Sequence, residues 1–133
     1  MAKILIIDDD PDLIDTYLII LTNNGYEVSS ALNGEEGLVK IKNDKPDLVV
    51  LDVMMNTDYE GFDVARKIRE DMKLLKLPII MLSGIHEVKK VRYRFAPDET
   101  YLPVDIWLDK PIEPDVFLEI IRTTLSDMPQ QTG

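Results

Sequence analysis

The 133-residue sequence has no cysteine, one histidine and one tryptophan. Without thiols there is no disulfide framework and no thiolate metal site. Long hydrophobic runs are missing too. Nothing approaches the roughly 18 apolar residues of a membrane span. Met1-Ala2-Lys3 leads only into Ile4–Ile7, too short a run for a secretory signal. Positive charge is scarce, with 15 Lys and Arg against 25 Asp and Glu, a formal net charge of −10. That balance argues against nucleic acid and anionic membrane as direct partners, since both are held by basic surfaces. The one basic cluster, Lys89 to Arg94, reads as a solvated helix face, with a docking patch for an acidic partner as the other reading. The lone His86 has no acid–base partner in helical context and reads as a surface or helix-start residue. What remains is a soluble, cytoplasmic, acidic single domain, with 45% hydrophobic residues to build one core.

What is present is alternation. Apolar runs occur at Lys3–Ile7, Tyr26–Ser29, Asp47–Leu51, Leu77–Leu82 and Val104–Leu108. The first, third and fourth are apolar at successive positions, as in strands buried on both faces. The second and fifth carry polar residues and suit sheet edges. Helix-period segments lie between them. Leu13, Ile14, Tyr17, Leu18 and Leu21 share one face, with Asp10 as N-cap, Pro11 at the first helical position and Gly25 past the end. A second helix follows Asn33, carries Leu38 and Ile41, and stops before Pro46. Phe62, Ala65, Ile68 and Met72 mark a third, and residues from His86 to Phe95 a weaker fourth. Val116, Phe117, Ile120, Ile121 and Leu125 mark a fifth, opened by Pro114. Five β–α units in strict order predict an α/β, flavodoxin-like doubly wound (βα)5 fold with a five-stranded parallel sheet of order 2-1-3-4-5. Residues 1–127 form the domain and 128–133 a polar C-terminal tail or linker stub.

Ligands bind such sheets at the carboxyl ends of the strands. Strand one ends in Asp8-Asp9-Asp10, strand three in Asp52, strand four in Ser83-Gly84, strand five in Asp109-Lys110-Pro111. Each alone is an ordinary polar residue after a strand or at a helix cap. Together they bring carboxylates, a hydroxyl and an ammonium to one edge. An all-oxygen carboxylate set suits Mg²⁺ over zinc or copper. Mg²⁺, Lys110 and the Ser83 hydroxyl would neutralise and orient phosphoryl oxygens. Asp52 on the central strand is then the nucleophile, able to carry a phosphoryl group as an acyl phosphate.

The sequence resembles the receiver domains of two-component response regulators, in particular the stand-alone chemotaxis (CheY-like) type. The resemblance covers residues 3 to 126. It rests on Ile4 to Pro11, Pro46 to Met55, Gly61, Pro78 to Gly84 and Leu108 to Ile112. It implies that Asp52 is the phosphoacceptor, Asp9 a direct Mg²⁺ ligand, Asp8 an acidic partner acting through water, and the Met54 backbone carbonyl the third protein ligand. It makes Ser83 the hydroxyl that follows the phosphoryl group, Gly84 the small residue giving it room, and Lys110 the cation paired with its oxygens. Pro111 matches a position whose peptide bond is usually cis, and Trp107 the switch aromatic, usually Tyr or Phe. The implied donor is a histidine kinase or phosphotransfer protein. The implied output surface combines the fourth helix, fifth strand and fifth helix, and a homodimer on phosphorylation fits the same scheme.

Three departures stand out. Asn56 replaces the usual Pro four positions after the phosphoacceptor, in a loop one residue longer than usual. Ser83 to Lys110 spans 27 positions, with Arg94 to Pro103 replacing the usual Gly-Ala before strand five. Trp107 is larger than the usual switch ring. Competing readings are a haloacid-dehalogenase-type phosphatase, which lacks its later acidic pair here, and a phosphorylation-independent receiver-like interaction module. An FMN-binding flavodoxin is excluded by three aspartates where a phosphate loop should lie. On this resemblance Met54 and Ile85 would flank the path of an attacking water, and neither side chain could orient it. Met54→Asn is therefore expected to speed loss of the phosphoryl group from Asp52 several-fold, measured as single-turnover decay; equal decay rates would refute this.

Overall fold

The computed structural model describes residues 2–52, 60–83, 106–109 and 112–126, with Ser83, Trp107 and Asp109 described through their backbone alone. Five strands, β1 (Lys3–Ile7), β2 (Glu27–Ala31), β3 (Leu48–Asp52), β4 (Ile79–Ser83) and β5 (Ile106–Asp109), form one parallel sheet ordered β2-β1-β3-β4-β5. The helices are α1 (Pro11–Asn23), α2 (Gly34–Asp44), α3 (Glu60–Glu70) and α4 (Pro114–Ser126). The fourth helix expected from the sequence, His86 to Phe95, lies outside the described residues, so α4 is the expected fifth. The doubly wound α/β architecture and its strand order are those the sequence predicts.

The continuous apolar runs follow from burial on both faces. Side chains alternate along a strand. Leu5, Ile7, Val49, Leu51, Ile79 and Met81 meet α2 and α3. Their neighbours Ile4, Ile6, Leu48, Val50, Ile80 and Leu82 meet α1 and α4. All twelve are at most 1% exposed. The edge strand β2 is only partly covered, which accommodates Ser29 and Ser30. It begins one residue later than the sequence pattern suggests and runs on to Ala31.

The helix ends are chemically marked. Asp10 caps α1, its Oδ1 accepting from Asp12 N at 3.0 Å and Leu13 N at 3.4 Å. At the other end Gly25 takes φ +89°, open to a residue without Cβ. Asn33 caps α2 through Glu36 N, and Glu36 Oε1 returns to accept from Leu32 N. The helix closes at Lys45 in the left-handed region, φ 50°, just before Pro46. α3 stops at Glu70, so Met72 lies beyond it, yet still packs on the core. Periodicity did not anticipate the buried Arg69. Its Nη1 donates to Leu74 O at 2.7 Å and Leu77 O at 2.6 Å, tying the end of α3 to the segment entering β4.

The close approach of α2 to the sheet depends on Gly37. A Cβ there would press on Ile7 Cδ1 and lie 2.9 Å from Ile7 Cγ1, on a side chain fully buried in β1. Gly37→Ala is expected to destabilise the fold by roughly 1–2 kcal/mol, overpacking outweighing the better helix propensity of alanine. Urea denaturation measures it; a stability gain would show that Ile7 repacks freely.

Candidate functional site

β1 and β3 pair in parallel with Ile7 opposite Leu51. One step further along both strands brings Asp8 opposite Asp52, and neighbouring strands lie about 4.8 Å apart. The carboxylate oxygens of Asp8, Asp9 and Asp52 indeed fall within 4.8 Å of one another. Asp8 is 2% exposed and Asp52 4%, while Asp9 faces solvent. The backbone fixes Asp8 twice. Its N–H donates to Ala31 O at 3.1 Å, and its Oδ1 accepts from Asp10 N at 3.0 Å. The second bond is the local turn an aspartate makes two residues ahead. It turns the chain out of β1 so that Asp10 can cap α1. Three successive aspartates thus occupy three environments.

On the other side of β3, Asp52 pairs with Leu82, so Ser83 ends β4 one residue beyond it. Ser83 in turn pairs with Asp109, the last residue of β5 and the neighbour of Lys110. The strand ends therefore bring Asp8, Asp52, Ser83 and Asp109 to one edge of the sheet. Met54, Gly84, Ile85, Lys110 and Pro111 lie outside the described residues, as does the side chain of Trp107.

Crowded carboxylates held by a rigid sheet repel one another, and a hard cation relieves the repulsion. The donors present are all carboxylate oxygens, with no imidazole or thiolate in the cluster. That donor set fits an oxygen-seeking divalent cation. The start of α1 adds the positive end of a 13-residue helix beside the cluster, which favours further negative charge there.

Two features went unread in the sequence. An apolar cleft of about 350 Å³ lies between α1 and the start of α4, lined by Leu13, Thr16, Tyr17, Ile20, Ile112, Pro114 and Phe117. Its signal was the spacing of Leu13, Tyr17 and Ile20, an apolar stripe that contact with the sheet alone does not use up. The second is Glu60, whose carboxylate reaches Gly34 on α2; nothing in the sequence marks that contact.

Comparison with known proteins agrees with this geometry. Residues 4–122 match the family model of the response regulator receiver domain. The chain is 32% identical over 125 residues to the DNA-binding dual master transcriptional regulator RpaA of Synechocystis sp., covering 94% of this chain and 49% of that protein. It is 29% identical over 127 residues to protein PilH of Pseudomonas aeruginosa, covering 95% and 99%. The solved structure of Vibrio cholerae chemotaxis protein CheY4 superposes with TM-score 0.77 at 28% identity, covering 93% of this chain and 98% of that one. The chain spans about half or less of the first curated relatives it matches, at 49%, 34% and 36% of their lengths.

If the three carboxylates repel as their spacing requires, neutralising one should stabilise the metal-free fold. Asp8→Asn keeps an oxygen for Asp10 N and is expected to add roughly 1–3 kcal/mol without divalent cation, the scale of charges about 5 Å apart at an intermediate dielectric. The stabilisation that added Mg²⁺ gives the parent protein should shrink in the variant. Thermal melts with and without Mg²⁺ test both; a less stable metal-free variant would contradict the repulsion.

Proposed function

Because the chain belongs to the response regulator receiver domain family, we propose that Asp52 is its phosphoacceptor, taking a phosphoryl group from the phosphohistidine of a histidine kinase or phosphotransfer protein. As a receiver domain it is a phospho-acceptor signalling domain of two-component systems, not a conventional enzyme. The observation that carries the assignment is the convergence of Asp8, Asp9 and Asp52 oxygens within 4.8 Å at the carboxyl edge of the sheet.

The proposed chemistry follows from that placement. Asp8, Asp9, Asp52 and the backbone carbonyl of Met54 would hold Mg²⁺, which when bound supplies positive charge for the phosphoryl oxygens. An Asp52 oxygen attacks phosphorus in line, the bond from phosphorus to the donor imidazole nitrogen breaks, and an acyl phosphate results. Lys110 pairs with the phosphoryl oxygens, Ser83 donates its hydroxyl to them, and Gly84 leaves room for the shift. Ser83 ends β4 one residue past the partner of Asp52, which supports this role.

The acyl phosphate then biases an equilibrium between surface conformations. Trp107 on β5 is the proposed switch aromatic. The surface of the fourth expected helix, β5 and α4 is the proposed output face, where an effector or a second phosphorylated copy would dock. The receiver unit is read as residues 1–127, in keeping with α4 ending at Ser126, and 128–133 as tail. No described helix is long and apolar enough to cross a membrane. A cytoplasmic location and the absence of direct nucleic-acid contact are part of the proposal, the latter supported by the net charge of −10.

Incubation with acetyl phosphate and Mg²⁺, read by intact mass, tests the core of this reading. One phosphoryl adduct is expected, abolished by chelation of the metal and absent in Asp52→Asn. A folded protein that accepts neither acetyl phosphate nor a beryllofluoride mimic would be a phosphorylation-independent interaction module instead.

A further inference from the structure

None of the site carboxylates lines the cleft of about 350 Å³ between α1 and α4, whose walls include Leu13, Tyr17 and Ile20 from α1 and Ile112 and Phe117 from the start of α4. That volume admits leucine-sized side chains. The charge around it has one sign. Asp12 and Asp15 adjoin the lining residues of α1, and Glu113 and Asp115 flank Pro114; all four are exposed. α1 carries no Lys or Arg, and the one base of α4, Arg122, is paired with Glu119. A second copy of this same face would set acid against acid, which like charges disfavour. What fits the cleft is an exposed apolar group flanked by cations.

This chain presents one. Among the described residues the large exposed hydrophobics are Ile19 and Val116 on the helices of the cleft itself, Leu32 and Val39 at α2, and the pair Leu74 and Leu75. Only that pair, in Lys73-Leu74-Leu75-Lys76, has a lysine on both sides, and both lysines are exposed. Leu75 is 69% exposed. The turn is held in shape from beneath. Leu74 N donates to Ile68 O at 3.0 Å, Arg69 bonds the carbonyls of Leu74 and Leu77, and Lys73 takes φ 60°. A turn already fixed gives up little freedom on docking. Its flanking residues Met72 and Leu77 pack on the α2 and α3 side of the sheet, whereas Tyr17 and Phe117 of the cleft pack on the other. The sheet stands between the two features, so the turn of one copy can reach only the cleft of another.

We propose that the Lys73–Lys76 turn of one copy docks in the α1–α4 cleft of a second, with Leu75 entering the cleft and the two lysines meeting its acidic rim. The contact joins two different surfaces, so each pair keeps one free turn and one free cleft. It differs from the phosphorylation-dependent pairing proposed above in using the α1 side of α4 and in needing no phosphoryl group. One turn in one cleft is a small interface, which makes the association weak, and its exposed ion pairs make it sensitive to salt.

The test is sedimentation of the unphosphorylated chain from about 10 μM to about 1 mM, the range in which a contact this small associates. The weight-average mass is expected to rise with concentration and to fall back on adding salt. Leu75→Ser strips the turn of its apolar group, and Thr16→Arg sets a bulky cation across the cleft. Both positions are exposed, so both variants keep the fold, checked by circular dichroism. Each alone is expected to weaken the association about tenfold or more. An equimolar mixture of the two should regain it as a one-to-one pair, since one variant supplies an intact cleft and the other an intact turn. A wild-type chain that stays monomeric would overturn the proposal and leave the cleft to a different protein. Association that survives Leu75→Ser, or a mixture that stays monomeric, would overturn it too, placing the contact on other surfaces.

Discussion

The in-register pairing of β1 with β3 is the constraint on which the site depends. Ile7 lies opposite Leu51, and the next step sets Asp8 beside Asp52. Neither carboxylate would choose the other in free solution, since like charges this close disfavour one another. They are held together because the strands behind them, Ile4 to Ile7 and Leu48 to Leu51, are at most 1% exposed and cannot slip. A slip of one residue would turn each apolar set to the wrong face of the sheet. The hydrophobic effect thus sustains an electrostatic arrangement that is unfavourable by itself. Local conflict of that kind is where function is expected in an otherwise consistent fold.

The same economy appears in the run Asp8-Asp9-Asp10. Composition cannot separate the three, but backbone geometry does. Asp8 is buried at the end of β1 and accepts from Asp10 N; Asp9 faces solvent; Asp10 accepts from Asp12 N and Leu13 N to start α1. The turn that opens the site and the cap that starts the helix are therefore one structure. A change at Asp10 would act on the site by loosening α1, and replacing Asp8 by a residue without a side-chain acceptor would remove a carboxylate of the cluster and the turn together.

Much of this was legible in the sequence because it is governed by short-range rules. Strand burial shows as uninterrupted apolar runs, the Asp10–Pro11 start of α1 as a cap, and the edge positions of β2 and β5 as polar interruptions. The order of the sheet followed from those, and the grouping of Asp8, Asp9, Asp52 and Ser83 at one edge followed from the order; Lys110 lies outside the described residues. What escaped were contacts between elements with no periodic signature. Arg69 is buried on two carbonyls. Gly34 and Gly37 are the places where α2 meets Val64, Glu60 and Ile7. Such contacts depend on how far two helices sit from one sheet, which no local pattern encodes. Asn56 and the lengthened stretch before β5 lie outside the described residues.

The register also bounds how a change at Asp52 can reach the proposed output face. Leu51, Met81 and Trp107 lie in one row across β3, β4 and β5, and Asp52, Leu82 and Leu108 lie in the next. Trp107 is thus two strands from the residue before Asp52, about 10 Å at ordinary strand spacing. Between them stands β4, whose Met81 and Leu82 are at most 1% exposed. A packed strand moves little as a body. The part of β4 able to respond is its end, where Ser83 pairs with Asp109, one residue before Lys110. Any signal to β5 is therefore expected to enter through that terminal pair, where Ser83, whose hydroxyl is proposed to hold the phosphoryl group, lies across from the last residue of β5. Coupling of that kind needs no extended pathway, only a two-position element at the sheet edge that the proposed phosphoryl group would bias.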